Sequence, residues 1–277
     1  MVKLEGKVAL ITGTSPNIGG GIALGMAEEG AKLVCIDLDA AKANACADQI
    51  RQQGGEALGV ACDVTNEAQV KDVVARAIEA YGGIDILVNA AVIFNTKGVL
   101  DMPVAEWRQQ IDVILTGTFL CTQNVAQAMI DQGRRGAIIN IISTAGHQGE
   151  PWNVGYSTGK SGLLNFTRSV AMELAEFGIR VNSLTPTATD TSEAIARADQ
   201  WGVPPRRPAP ASPRRRGLMG DSRLGTPMQV LPSPRHYARA AVFLASDDAE
   251  MITGEDLRVD AGAVARYWRW DPSAPPA

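Results

Sequence analysis

The feature that most constrains this chain is the alternation of short apolar runs with amphipathic stretches. Runs with the length and β-branched character of buried strands fall at 7–12, 32–37, 57–61, 84–88, 136–142 and 179–184. Between them lie helical patterns: one through Ile22, Leu24, Met26 and Ala27, and others near 40–53, 66–81, 103–129 and 155–177. A helix at 235–246 and a last strand at 256–259 complete the series. Strands separated by helices return parallel to one another through right-handed crossovers, so the expected class is α/β, a doubly wound, mainly parallel sheet flanked by helices. Such sheets bind ligands outside the carboxyl ends of their strands.

The first run ends in Gly13-Thr14-Ser15-Pro16-Asn17-Ile18-Gly19-Gly20-Gly21. A strand, a tight glycine turn and a helix N-terminus form a place where backbone N–H groups and the helix dipole receive a pyrophosphate. Alone, a glycine-rich stretch is weak evidence. Asp37 strengthens it, because it ends the second run roughly 20 residues beyond the turn, where a carboxylate meets the adenosine ribose hydroxyls and repels a 2′-phosphate. No Lys or Arg stands between Thr12 and Ala31, so the expected cofactor is NAD rather than NADP. Asp63 and Asn89 end the third and fourth runs. Asp63 is placed to meet the adenine edge and Asn89 to tie neighbouring backbones, although each alone also fits a turn.

Chemistry concentrates between Ser143 and Lys160. On a helix over 155–177, Tyr156 and Lys160 stand four residues apart and share a face, and Ser143 ends the run that is brought beside them. A free phenol has a pKa of about 10 and is a poor base near neutral pH unless a nearby cation favours the phenolate. Lys160 is placed to be that cation. Ser143 would then orient a substrate oxygen while Tyr156 exchanges a proton with it, as interconversion of an alcohol and a carbonyl requires.

Composition excludes other classes. Apolar residues make up 45% of the 277 and charged ones 20%, and a net charge of −4 argues against a general binder of nucleic acid or anionic membrane. Cys35, Cys46, Cys62 and Cys121 form no C-x-x-C pair, and His147 and His236 are the only histidines, so neither a zinc site nor a disulfide framework is suggested. The N-terminus shows no signal-peptide pattern and no apolar run approaches membrane-spanning length, so the expected location is cytoplasmic.

The ordered set Thr12-Gly13…Ile18-Gly19, Asp63, Asn89-Ala90-Ala91, Ser143, Tyr156-x-x-x-Lys160, Pro186 with Thr191, and Ile252-Thr253-Gly254…Val259-Asp260-Ala261-Gly262 resembles the short-chain dehydrogenase/reductase family. It covers 5–191 and about 235–263. The resemblance implies a single Rossmann-like domain over 1–265 with a tail at 266–277, a nicotinamide cofactor, and a homodimer or homotetramer. It implies Tyr156 as the catalytic acid/base, with Ser143 and Lys160 in the roles above and Lys160 also holding the nicotinamide ribose. The cofactor contacts that follow are Gly13, Asn17, Ile18 and Gly19 at the phosphate turn, Asp37 and Leu38 at the ribose, Asp63 and Val64 near the adenine, Asn89 and Ala90, and Pro186, Thr189 and Thr191 over the nicotinamide. The implied substrate is a small-molecule secondary alcohol or ketone. Alternatives are a 3-oxoacyl thioester reductase and a catalytically impaired NAD-binding protein.

Several positions depart from the family pattern. Asn17 replaces a glycine and is expected to accept positive φ more readily than most residues. Ala90, Val92 and Thr187 replace other customary residues. Ile114 stands where the family commonly has an Asn that holds a water in the proton relay, and its side chain cannot hydrogen-bond one. Eight of the fifteen prolines lie between Pro204 and Pro234, beside Arg206, Arg207, Arg214, Arg215 and Arg216. The stretch 192–235 is therefore expected to lack a regular helix, as a solvated insertion or as a lid whose arginines meet an anionic substrate group. His147, Trp152 and Val154, together with the lid, are expected to shape a largely apolar pocket. The outer faces of the helices at 103–129 and 155–177 are expected to pair between subunits, and Tyr267-Trp268-Arg269-Trp270 to pack on a neighbour.

Overall fold

Successive side chains of the central strands enter two different cores. On β1 (Val8–Thr12) Ala9 and Ile11 join one core and Leu10 the other; on β4 (Ile86–Asn89) Ile86 and Val88 are divided from Leu87; on β5 (Ala137–Ile141) Ile139 and Ile141 are divided from Ile138. The two-residue period of a strand therefore buries both faces of the sheet, which explains the unbroken apolar runs. In the computed structural model, residues 2–204 and 226–265 are described. The five arginines at 206–216 and the aromatic run 267–270 lie outside the described residues.

The remaining strands are β2 (Lys32–Asp37), β3 (Ala57–Ala61), β6 (Arg180–Pro186) and β7 (Asp256–Val259), giving a seven-stranded sheet in the order β3-β2-β1-β4-β5-β6-β7. Every neighbouring pair is parallel. From β1 the chain builds outward to β3, then returns to pair β4 against the other side of β1. That reversal opens a crevice between the carboxyl ends of β1 and β4.

On one face lie α1 (Ile18–Glu28), α2 (Ala40–Gln52) and α8 (Pro234–Ala245), whose Ile22, Met26, Cys46, Ile50, Tyr237 and Ala241 share a core. Helix α1 meets α8 closely: a Cβ on Gly21 would stand 2.6 Å from Pro234 Cβ, and one on Gly25 2.7 Å from Ala238 Cβ. Gly21 and Gly25 thus serve helix packing. The other face carries α3 (Glu67–Tyr81), α5 (Gly117–Asp131) and α6 (Val154–Leu174), packed through Val70, Val73, Leu120, Val125, Met129 and Ala171.

Three expectations are corrected. The stretch from 192 onward opens with a regular helix, α7 (Ser192–Trp201), because these ten residues contain neither Pro nor Gly and the prolines begin only at Pro204. It docks by Trp201 Nε1, which donates to Gln49 Oε1 at 2.6 Å. Secondly, α4 (Val104–Ile111) runs through one wide turn, Asp112–Thr116, directly into α5, and the Gly117 N–H bonds the Asp112 carbonyl five residues back. The resulting rod, Val104–Asp131, is long and apolar enough to cross a membrane, contrary to the sequence reading. Half of its apolar window is buried inside the fold, where the sheet already supplies an apolar partner. Lastly, Asn17 sits at φ −87°, so its position makes no demand for a left-handed residue.

Candidate active site

Two chambers meet along the carboxyl edge of the sheet, sharing Gly13, Ser15, Ala90 and Val92 as walls. The smaller, about 290 Å³, is lined by Ser143, Tyr156 and Lys160 together with Asn17, Ile18, Gly19, Phe94, Pro186, Thr187, Thr189 and Thr191. The larger, about 560 Å³, is lined by Asp37, Leu38, Asp63, Val64, Lys42 and Cys62. An elongated ligand with two unlike ends fits this arrangement, its middle passing the glycine turn.

The turn is built by close backbone approach. Gly13 has φ +71°, and a Cβ there would lie 2.8 Å from Ala91 Cα. A Cβ on Gly19 would run into the Gly13 carbonyl. Thr12, only 1% exposed, holds the opposing strand end by accepting the Ala90 and Ala91 N–H groups at 3.0 and 3.1 Å. In the first turn of α1 the Gly20 and Gly21 N–H groups donate to the Ser15 and Asn17 carbonyls at 3.0 and 2.9 Å, and the positive dipole end of the helix faces the crevice. The Asn17 Oδ1 is buried without a hydrogen-bond partner. A dinucleotide phosphate group suits the positive helix end; the Asn17 Oδ1, an acceptor, would instead take a donor.

The sequence reading placed no cation near this turn, yet Arg197 of α7 donates Nη1 to the Pro16 carbonyl and lies 3.5 Å from the Asn17 carbonyl. Its signal was distant, 180 residues away in a stretch read as irregular. Burial lowers its pKa, with Glu193 opposing.

At the far end, Asp37 accepts the Asp39 N–H at 3.1 Å, and burial raises its pKa against that bond and Lys42. Leu38 beside it is 73% exposed, an apolar platform at the chamber mouth. Asp63 folds into its own turn: Oδ1 accepts Thr65 N–H at 2.9 Å and Thr65 Oγ1 at 2.7 Å. Val64 packs on α5, where a Cβ at Gly117 would come 2.6 Å from its Cγ2.

Asn89 does not face either chamber. It is 3% exposed and its Nδ2 donates to Thr122 Oγ1 at 3.1 Å and Asn140 Oδ1 at 2.9 Å. Asn140 Nδ2 passes the ladder on to Thr167 Oγ1 at 3.0 Å, and Thr167 bonds the Leu163 carbonyl. Through its side chain Asn89 thus joins β4, β5 and α6. Thr189 likewise turns part of its side chain inward, to the Thr187 carbonyl at 3.1 Å and Tyr237 OH at 3.2 Å. Tyr237, which the sequence did not single out, is fully buried, and burial pushes its phenol up to about 12.

Lys160 is 2% exposed, donates to the Ile141 carbonyl, and lies 5.9 Å from the Tyr156 ring centroid. Burial pushes its amine down to about 7. Beneath the pair, Ile114, Ile142 and Leu163 form a small dry core, with Ile114 touching Gly159. Phe94 stacks edge-on to Tyr156 with centroids 5.6 Å apart. The pocket wall is thus Val92, Phe94, Ile142 and Thr187 rather than the expected trio. His147 turns away to Thr185 Oγ1 and Asp256, while Trp152, held at φ +58°, packs against Gly98.

A parallel doubly wound sheet with a glycine turn at its switch point and a Ser, Tyr, Lys cluster at the same edge defines a class of dinucleotide-dependent oxidoreductases. Comparison narrows the class. The family model for short chain dehydrogenases matches residues 7–201. An uncharacterised oxidoreductase of Thermotoga maritima is 37% identical over 264 residues, covering 95% of this chain and 98% of that protein. A 3-oxoacyl-[acyl-carrier-protein] reductase of Synechocystis sp. is 36% identical, covering 95% of this chain and 99% of the relative. The crystal structure of a short-chain type dehydrogenase/reductase from Mycobacterium marinum superposes with a TM-score of 0.81 at 32% identity, covering 95% of this chain and 96% of that one. This chain belongs to the short-chain dehydrogenase/reductase family. It is an oxidoreductase of a family that normally uses a nicotinamide cofactor and a small-molecule substrate.

Proposed function

We propose that the protein is an NAD(H)-dependent enzyme that interconverts a secondary alcohol and a ketone. The observation that carries this reading is the shared chamber of Ser143, Tyr156 and Lys160, opening beside the glycine turn. The dinucleotide, when bound, supplies or accepts the hydride. Tyr156 takes the hydroxyl proton in oxidation and returns it in reduction. Lys160, in its protonated form, would favour the phenolate of the neighbouring phenol, an assistance that fades as the pH rises past about 7, where burial lets the amine lose its proton. Ser143 donates a hydrogen bond to the substrate oxygen, where charge grows in the transition state. Val92, Phe94 and Ile142 exclude water and favour an apolar substrate body.

Asp37 supports NAD over NADP, because its partly buried carboxylate would face a 2′-phosphate with repulsion. Lys42 does not offset it, since its ammonium pairs with Asp39 at 3.3 Å. Gly13, Asn17, Ile18 and Gly19 would hold the pyrophosphate; Asp63, Val64 and Leu38 would border the adenosine; Ala90, Pro186, Thr189 and Thr191 would border the nicotinamide half. A dimer or tetramer, a single catalytic domain over 1–265 and a cytoplasmic setting complete the reading.

A second reading, reduction of 3-oxoacyl thioesters, draws on the Synechocystis relative's name. The experiment that separates them is turnover of a panel of secondary alcohols, ketones and 3-oxoacyl thioesters with NAD(H) and NADP(H) side by side. Ketone turnover with at least about tenfold preference for NADH is expected, a ratio equal to about 1.4 kcal/mol. Preference for NADPH with thioesters alone would replace this reading by the second.

A further inference from the structure

The turn that carries Ser143 leaves the sheet just after Ile142, whose N–H donates to the Leu184 carbonyl at 2.8 Å. Beyond it lies one short turn, Thr144–Gly146, closed by Gly146 N–H to Ser143 O at 2.8 Å and His147 N–H to Thr144 O at 3.0 Å. A single tight turn has poor hydrogen-bond geometry and little stiffness of its own. On one flank it leans on α6, where a Cβ at Gly146 would stand 2.9 Å from the Lys160 backbone.

The other flank is held by polar groups that do not line the reaction chamber. His147 Nε2 lies 3.1 Å from Asp256 Oδ2 and 3.1 Å from Thr185 Oγ1. Asp256, on the edge strand β7, also accepts Ser183 Oγ at 2.6 Å and Thr185 Oγ1 at 2.8 Å. The His147 and Asp256 side chains are only 18% and 13% exposed. A carboxylate withdrawn from water so far is costly unless donors meet it, and one of its donors here belongs to the residue that closes the Ser143 turn. Thr185, the shared partner, directly precedes Pro186 of the chamber wall.

We propose that His147 and Asp256 form a clamp between the Ser143 turn and strands β6 and β7, which makes His147 a positioning residue for Ser143. The inference rests on the reading of Ser143 as the group that orients the substrate oxygen. Geometry explains why a remote pair matters: misplacing a reacting group by about 1 Å can cost about a hundredfold in rate.

The test is steady-state turnover of the full-length enzyme with NADH and a ketone panel, alongside NADH affinity by fluorescence and thermal unfolding. His147→Ala is expected to lower kcat about ten- to a hundredfold with NADH affinity nearly unchanged. His147→Gln, whose amide can still donate to Asp256, is expected to recover most of that loss. In a Ser143→Ala background the further loss from His147→Ala should shrink to about twofold or less, because the group being positioned is gone. If the alanine variant does not fold, His147→Asn, polar but too short to reach Asp256, takes its place. An unchanged kcat, or an undiminished loss in the Ser143→Ala background, overturns the clamp and leaves the site reading intact. Full turnover by Ser143→Ala alone overturns the site reading, and the clamp with it.

Discussion

At the scale of single residues the decisive group is Lys160, whose amine burial pushes down to about 7 from an ordinary value of 10.5. Between those values the unfolded chain holds a proton on this amine that the folded chain lacks, so stability rises with pH across that window; below it the folded protein bears the full cost of a buried ammonium. Denaturant unfolding of Lys160→Met from pH 6 to pH 10, values spanning the ordinary and shifted ranges, should lack this rise. An unchanged slope would mean the amine is solvated. Asp37 supplies a second residue-level expectation: Asp37→Ala should bring NADPH affinity up towards that for NADH, by about tenfold, read from parallel fluorescence titrations. Sequence made these residues legible because each stands at a strand end or at helical spacing. Tyr237, Phe94 and Arg197 were not legible, since their partners lie far along the chain. For Asn89 the position and its tying role were readable and its partners were not, because Thr122 and Asn140 arrive from other elements.

Elements acquire their positions from polar ties as much as from apolar faces. The ladder Asn89, Asn140 and Thr167 anchors α6, and with it Tyr156 and Lys160, to the sheet. Asn140→Ala removes the centre of the ladder and strands buried amide and hydroxyl groups, so it should cost about 1–3 kcal/mol in denaturant unfolding; a loss below measurement error would place the anchor in the apolar core alone. Helix α7 is tied to the glycine turn by Arg197, which donates to the Pro16 carbonyl. Arg197→Met, which keeps much of the side-chain packing, should weaken NADH binding about tenfold, since a charged hydrogen bond contributes about 1.5–3 kcal/mol; unchanged affinity would show that the turn needs no outside support. This helix shows how composition misleads when averaged: ten good helix residues were hidden by prolines that follow them. The long rod of α4 and α5 shows the reverse, a helical pattern read correctly whose wide turn left no mark in the periodicity.

For the whole molecule, the alternation of runs and the handedness of crossovers pointed to a doubly wound, mainly parallel sheet, the most legible level of all, while the order of the strands is known from the structure alone. Burial on both faces made the strand runs continuous, and the glycine turn fixed which edge faces ligand. Association is a further whole-molecule expectation. Phe119 of α5 and Met172 of α6 are exposed, with Phe177 just beyond α6, so the outer faces of these two helices offer apolar surface for a second copy. Light scattering should give a mass two or four times that of the chain, reduced by Met172→Glu; a monomer at micromolar concentration would contradict the pairing.

The proposed chemistry rests on the Tyr156 phenol beside the buried Lys160 amine, and one comparison tests it most directly: kcat for ketone reduction by the parent and by Tyr156→Phe, with NADH binding measured on both. Loss of about a hundredfold or more in kcat with NADH affinity retained is the expected result, the range of a missing general acid. Equal turnover by the two proteins would contradict the assignment of the chemistry to Tyr156.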